Sequence, residues 1–114
     1  MWEGLLPIGS VVLLKGSTQK MMICGIVQMV EEENGRVLYD YSAFIHPYGY
    51  IDADHLYVFN RDSIEKVVSV GYIDDRLIAA YKNVNALLPR VRSGELPMEE
   101  LEKIRPEKPV VEQP

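Results

Sequence analysis

With 114 residues, 47% of them apolar, the chain is long enough to build one self-sufficient core and too apolar to be disordered throughout. Its formal charge of −5, with five Lys/Arg against ten Asp/Glu in residues 1–74, excludes the broad cationic surface that unspecific phosphate-backbone binding needs. No apolar run reaches the roughly 18 residues of a membrane span, the Met1–Gly4 start lacks the basic and long apolar regions of a signal peptide, and Cys24 is the single cysteine, so the expectation is a soluble, cytoplasmic protein without disulfides.

Taken in chain order, Pro7-Ile8-Gly9-Ser10 reads as an opening turn, followed by a short apolar strand, Val11–Lys15, closed by Gly16-Ser17. Met21–Val30 is the second strand. Its near-continuous apolarity calls for burial on both faces or strong curvature, and Gly25 permits a bulge in its middle. Asn34-Gly35 is a hairpin turn signal, because both residues tolerate positive φ. In the third strand, Val37–Ile45, alternation puts Tyr39, Tyr41, Ala43 and Ile45 on one face and Leu38, Asp40, Ser42 and Phe44 on the other. His46-Pro47-Tyr48-Gly49-Tyr50 breaks it, since proline cannot donate to a ladder. A fourth strand spans His55–Phe59. Asn60–Ile64 reads as one helical turn capped by Asn60 or Asp62, and Lys66–Val70 is the fifth strand.

Asp74 is the expected N-cap of a helix whose apolar stripe is Leu77, Ile78, Tyr81, Val84 and Leu88, ending at Ser93-Gly94. Pro97–Ile104 suits a short last helix, with proline in its first turn and glutamates at the positive end of its dipole. From Pro106 onward the chain reads as a flexible tail. The fold class expected is α+β, mainly β: a small SH3-like barrel or bent antiparallel sheet of about five strands over residues 8–73, then a packed helix over 74–90. Residues 1–92 form the single globular domain, and residues 93–114 form the short helix and proline-containing tail.

No residue pattern supplies catalytic or metal chemistry. His46, His55 and Cys24 lack the spacing of a zinc site, and Asp52-Ala53-Asp54-His55 lacks the glycine and terminal glutamate of a calcium loop. There is no Gly-x-Ser-x-Gly elbow, and Leu14-Lys15-Gly16-Ser17 lacks the glycine spacing of a phosphate loop. Cys24 reads as a small buried hydrophobe. The expectation is therefore a non-enzyme without catalytic, cofactor-binding or metal residues.

The tyrosines carry more information, since each offers a large contact area with a polar tip. Tyr39 and Tyr41 on the third strand, with Pro47, Tyr48 and Tyr50 in the turn, are the candidate partner-binding residues. Single-stranded nucleic acid could stack on such a platform, but the basic groove that accompanies stacking is missing. A small-barrel nucleic-acid binder is thus an alternative, and a protein partner the leading expectation.

The string Leu5-Leu6-Pro7-Ile8-Gly9-Ser10-Val11-Val12-Leu13-Leu14-Lys15-Gly16 resembles the opening of a small bacterial family of unknown function, whose members begin Leu-Pro-Ile-Gly-Ser-Val-Val-x-Leu-Lys-Gly. Lys20–Gly25, Tyr39-Asp40-Tyr41, Pro47-Tyr48-Gly49, Tyr57–Val67 and Gly71-Tyr72 extend the likeness over residues 5–85. The chain departs from the pattern at Gly25-Ile26, where members commonly have Gly-Arg, and at Pro47-Tyr48-Gly49, where Pro-Glu-Gly is usual. The resemblance implies a Gram-positive, cytoplasmic accessory of type VII secretion, encoded beside Leu-x-Gly polymorphic toxins. It would act as a chaperone or adaptor for a toxin's pre-secretion domain, or alternatively as an immunity protein for the toxin domain. It implies no catalytic residues.

Overall fold

The two-residue apolar period of the first half of the chain becomes one antiparallel sheet. The computed structural model describes residues 4–105. Its strands are β1 (Val11–Leu14), β2 (Lys20–Glu32), β3 (Gly35–Ile45), β4 (Tyr57–Phe59) and β5 (Ile64–Ser69), in spatial order β4-β3-β2-β1-β5. Of the two architectures the sequence allows, the open bent sheet is the one formed: β4 and β5 are the two edges, and no β4–β5 ladder closes a barrel among the described residues.

β2 and β3 form the long central hairpin, and they run further towards their turn than apolarity alone suggests. Glu31 lies opposite Arg36, and Glu32 opposite Gly35. The Glu31–Arg36 ion pair spans 3.6 Å, and Gly35 takes the left-handed φ of 114° just after the turn. The bend comes where the sequence placed it. Ile23 opposes Ala43 but Gly25 opposes Ser42, so Cys24 is the extra residue of a bulge. Val27 adds to the distortion with φ 53°, a conformation a β-branched residue rarely adopts. Met21 and Ile23 before the bulge, and Ile26 after it, pair with Ile45, Ala43 and Tyr41, so the β2 residues facing that row of β3 change from odd to even numbers, while Val27 stays buried.

His55 is not in the fourth strand. Asp52 accepts the His55 backbone N–H at 3.1 Å and closes a 3₁₀ turn over Ala53–His55, so pairing starts only at Tyr57. A second 3₁₀ turn, Arg61–Ser63, matches the expected helical turn, but Asn60 does not cap it with its side chain. That carboxamide reaches across the fold instead.

Asp74 does cap α1 (Asp75–Arg92), accepting the Leu77 N–H at 2.8 Å. The buried side of α1 carries Tyr81, Leu88 and Val91, with Leu77, Val84 and Leu87 packed at its margins. Ile78, expected in the stripe, is 53% exposed. It lies one step, about 100°, round the helix from Leu77, on the flank turned to water. α2 (Glu99–Glu102) fills part of the expected last helix, and its Leu101 is among the most buried side chains of the protein. The core therefore continues past residue 92 through Leu96, Met98 and Leu101. The expected tail from Pro106 lies outside the described residues.

The N-terminal segment packs more deeply than its turn-like composition suggests. Leu5, Leu6 and Pro7 are buried, with the Leu6 N–H donating to the Tyr41 hydroxyl at 2.8 Å and the Leu5 N–H to the Asn85 side chain at 3.1 Å. The segment thus joins β3 to α1. Further on, Gly9 donates to the Ile23 carbonyl and Ser10 Oγ accepts the Gly71 N–H at 3.0 Å, so the start of the chain is also tied to the strand exit after β5.

Candidate protein-interaction surface

The structure divides the five candidate tyrosine and proline positions into two groups. Tyr41 has no exposed surface, because Leu6 binds its hydroxyl and Phe59 lies 5.7 Å from its ring, so it is a core residue. Burial also raises its phenol above the ordinary tyrosine range. Tyr39 is half-buried and donates its hydroxyl to Glu32 at 2.8 Å, a bond that raises its own titration. Neither meets the turn. Pro47, Tyr48 and Tyr50 do lie together on the surface, Tyr48 at 74% and Tyr50 at 65% exposure, with the Tyr50 ring edge-on to Phe44 at 5.7 Å.

Sequence reasoning missed the company these residues keep. Gly49 bridges to Ile45, and Tyr57 pairs with Ala43 two residues along, so the turn and β4 line the same side of β3. Ile51, Leu56 and Tyr57 are also exposed there. Asp52 and His55 meet at 2.6 Å (Oδ1 to Nδ1), and this contact holds the Asp52 carboxyl below the usual carboxylate range.

The opposite edge was not singled out at all. Every residue from Glu65 to Val70 is exposed, and the pairing with β1 skips Glu65 and Val68, the extra residues of two irregularities in β5. Val70, Ile73 and Tyr72 continue the apolar surface, Tyr72 at 78% exposure. Beside this edge lies a hollow of about 300 Å³ floored by Tyr41 and Leu6 and walled by Arg61, Ile64 and Val67. Which strand is last in the sheet is a long-range property, so only the Val67-Val68-Ser69-Val70 run could have hinted at it.

A polar cleft of about 360 Å³ adjoins that hollow, sharing Gly4 and Arg61. Asp40, nearly buried, accepts the Arg61 N–H at 2.8 Å and the Arg92 guanidinium at 2.6 Å, while the Asn60 carboxamide oxygen accepts from the Asp40 N–H and from Arg92. The groups satisfy one another, so the cluster clasps β3, the β4–β5 link and the end of α1. Asp40→Ala should cost about 1–2 kcal/mol, since the Arg61 N–H loses its acceptor while half-exposed Arg92 turns to water. Urea unfolding would measure it, and no shift in midpoint would show that the clasp is not structural.

The remaining chemistry-bearing side chains are apart, and the buried His46 Nδ1 has no hydrogen-bond partner among the described residues. Cys24 Sγ lies 3.5 Å from Ser42 Oγ, away from the Asp52–His55 pair. Among the described residues no three His, Cys, Asp or Glu side chains gather to hold a metal ion, and no helix is long and apolar enough to cross a membrane.

A family model described as "Domain of unknown function (DUF4176)" matches residues 5–78. That span covers the buried N-terminal segment, the whole sheet and the first turn of α1. No curated protein and no solved structure matches the chain.

Proposed function

The chain belongs to the DUF4176 family, and from that premise we propose that it is a non-enzymatic protein-binding accessory, a chaperone or adaptor in the type VII export of Leu-x-Gly polymorphic toxins. The observation that carries the binding role is the outer edge of β5. An exposed edge strand carrying apolar side chains is a template for strand pairing, which proteins normally blunt or cover. Here Val67, Val68, Val70 and Tyr72 are open to solvent, and a hollow beside the edge offers room for the alternate side chains of an added strand. In such recognition the main chain supplies affinity and the pockets specificity. The toxin-export setting rests on the sequence resemblance, and with it the Gram-positive cytoplasm as the place of action.

Coexpression with the N-terminal domain of the toxin encoded beside it tests the reading. A complex stable at micromolar concentration is expected from the wild type and not from Val68→Lys/Val70→Lys, which places cations on the edge without touching the core. No wild-type complex would sink the proposal. Binding only to the toxin's C-terminal domain would replace it with the immunity reading.

A further inference from the structure

The hollow beside β5 is apolar at its floor and charged at its rim. Leu6 and Tyr41 floor it, Ile64 and Val67 wall it, and Arg61, Glu65 and Lys66 complete the lining. At about 300 Å³ it lies at the low end of ligand pockets, with room for one large side chain rather than a whole small molecule. Among the described residues neither the Arg61 guanidinium nor the Lys66 ammonium makes a hydrogen bond or an ion pair. The rim thus carries two open cations against one carboxylate. Asp40 and Asp62 line the adjoining polar cleft instead, and Asp40 is already matched by Arg92. Arg61 is anchored by its main chain, whose N–H donates to Asp40 at 2.8 Å, and its 3₁₀ turn is tied to the end of β1 by a 2.8 Å bond from the Lys15 N–H to the Ser63 carbonyl. The guanidinium is fixed at its root and free at its tip.

We infer that the partner segment added to β5 carries a large apolar side chain for this hollow and, two residues away, an aspartate or glutamate for Arg61 and Lys66. This rests on the β5 reading and supplies the sequence chemistry of its partner. Residues two apart on a strand share a face, so one side chain can enter the hollow while the other meets its rim. Main-chain pairing alone does not set register, and the irregularities at Glu65 and Val68 leave little regular ladder to set it. The two side chains do. A slip of one residue turns both away from the hollow, and a slip of two puts the carboxylate over the apolar floor, where it loses water without gaining a cation. The chain's net charge of −5 opposes an acidic partner only at long range, since at 0.1 M salt exposed charges are screened beyond about 10 Å. At contact the rim decides, and a basic residue in the same place would meet two like charges.

Two fluorescein-labelled nonapeptides are the probes, titrated by anisotropy against the full chain. Both alternate threonine with valine, leucine, aspartate and valine, in that order, and the second has asparagine in place of the aspartate. Wild type should bind the aspartate peptide roughly 3- to 10-fold more tightly, the worth of an ion pair partly withdrawn from water. Arg61→Gln/Lys66→Gln should erase that preference. Arg76→Gln/Lys82→Gln removes the same charge from exposed positions outside the hollow and should keep it. Replacing the leucine by alanine should weaken both peptides roughly 5- to 30-fold. Circular dichroism checks that each variant is folded. Equal affinities for the two peptides, a preference that survives Arg61→Gln/Lys66→Gln, or no binding at millimolar concentration overturns the inference. The neutral asparagine peptide keeps this result distinct from the fate of the β5 reading: if it binds and Val68→Lys/Val70→Lys abolishes its binding, strand addition stands even where the aspartate preference is missing.

Discussion

Leu101→Ala should destabilise the protein by about 2–5 kcal/mol, the range for emptying a fully buried leucine site. Leu101 is 1% exposed yet sits on a helix of four residues, far too short to be stable by itself. Only its docking keeps that helix formed. Losing the side chain should therefore also loosen Leu96 and Met98, the Arg36–Glu102 ion pair, and the 2.7 Å bond from Arg105 to the Val27 carbonyl. For a domain of this size each kcal/mol moves the melting temperature by roughly 4–8 °C, so thermal unfolding should drop by about 10 °C or more. A change within about 0.5 kcal/mol, as at an ordinary surface site, would show that the segment after Arg92 is not part of the core.

Gly71→Ala is the second large effect, expected at about 3 kcal/mol, the upper end of the usual range for overpacking. A Cβ there would lie 2.1 Å from the Ile8 carbonyl oxygen and 2.9 Å from its carbon. Both are backbone atoms, so no side-chain rotation relieves the clash. Either the opening segment or the exit of β5 must move, and the Gly71–Ser10 bond would go with it. Chemical denaturation measures the cost. A variant as stable as wild type would mean that the two segments do not cross so closely in solution.

The local signals in the sequence were the readable ones. Runs of Val, Ile and Tyr broken by Gly and Pro locate all five strands, and Asp74 ahead of a 3.6-residue period locates α1. Gly25 in an over-long apolar run gives the bulge, although the extra residue is Cys24. Features set by distant partners were not readable. Alternation puts Tyr39 and Tyr41 on one face of β3, yet Tyr41 is core because Leu6 and Phe59 close over it, while Tyr39 reaches Glu32. Asn60 looks like a helix cap, but its carboxamide serves Asp40 and Arg92, 20 and 32 residues away. Leu5 and Leu6 have no periodicity to mark them as core. The binding surfaces follow the same division. The exposed turn tyrosines could be named from Pro47 and Gly49, whereas the β5 edge exists only through the order of strands.

Amide hydrogen exchange across residues 64–70, with and without the toxin's N-terminal domain, tests the binding claim most directly. Strand addition should slow the amides of β5 that do not pair with β1, because a partner strand takes the place of water at that edge. A complex that forms while exchange at residues 64–70 stays unchanged would contradict the assignment of the β5 edge as the binding surface.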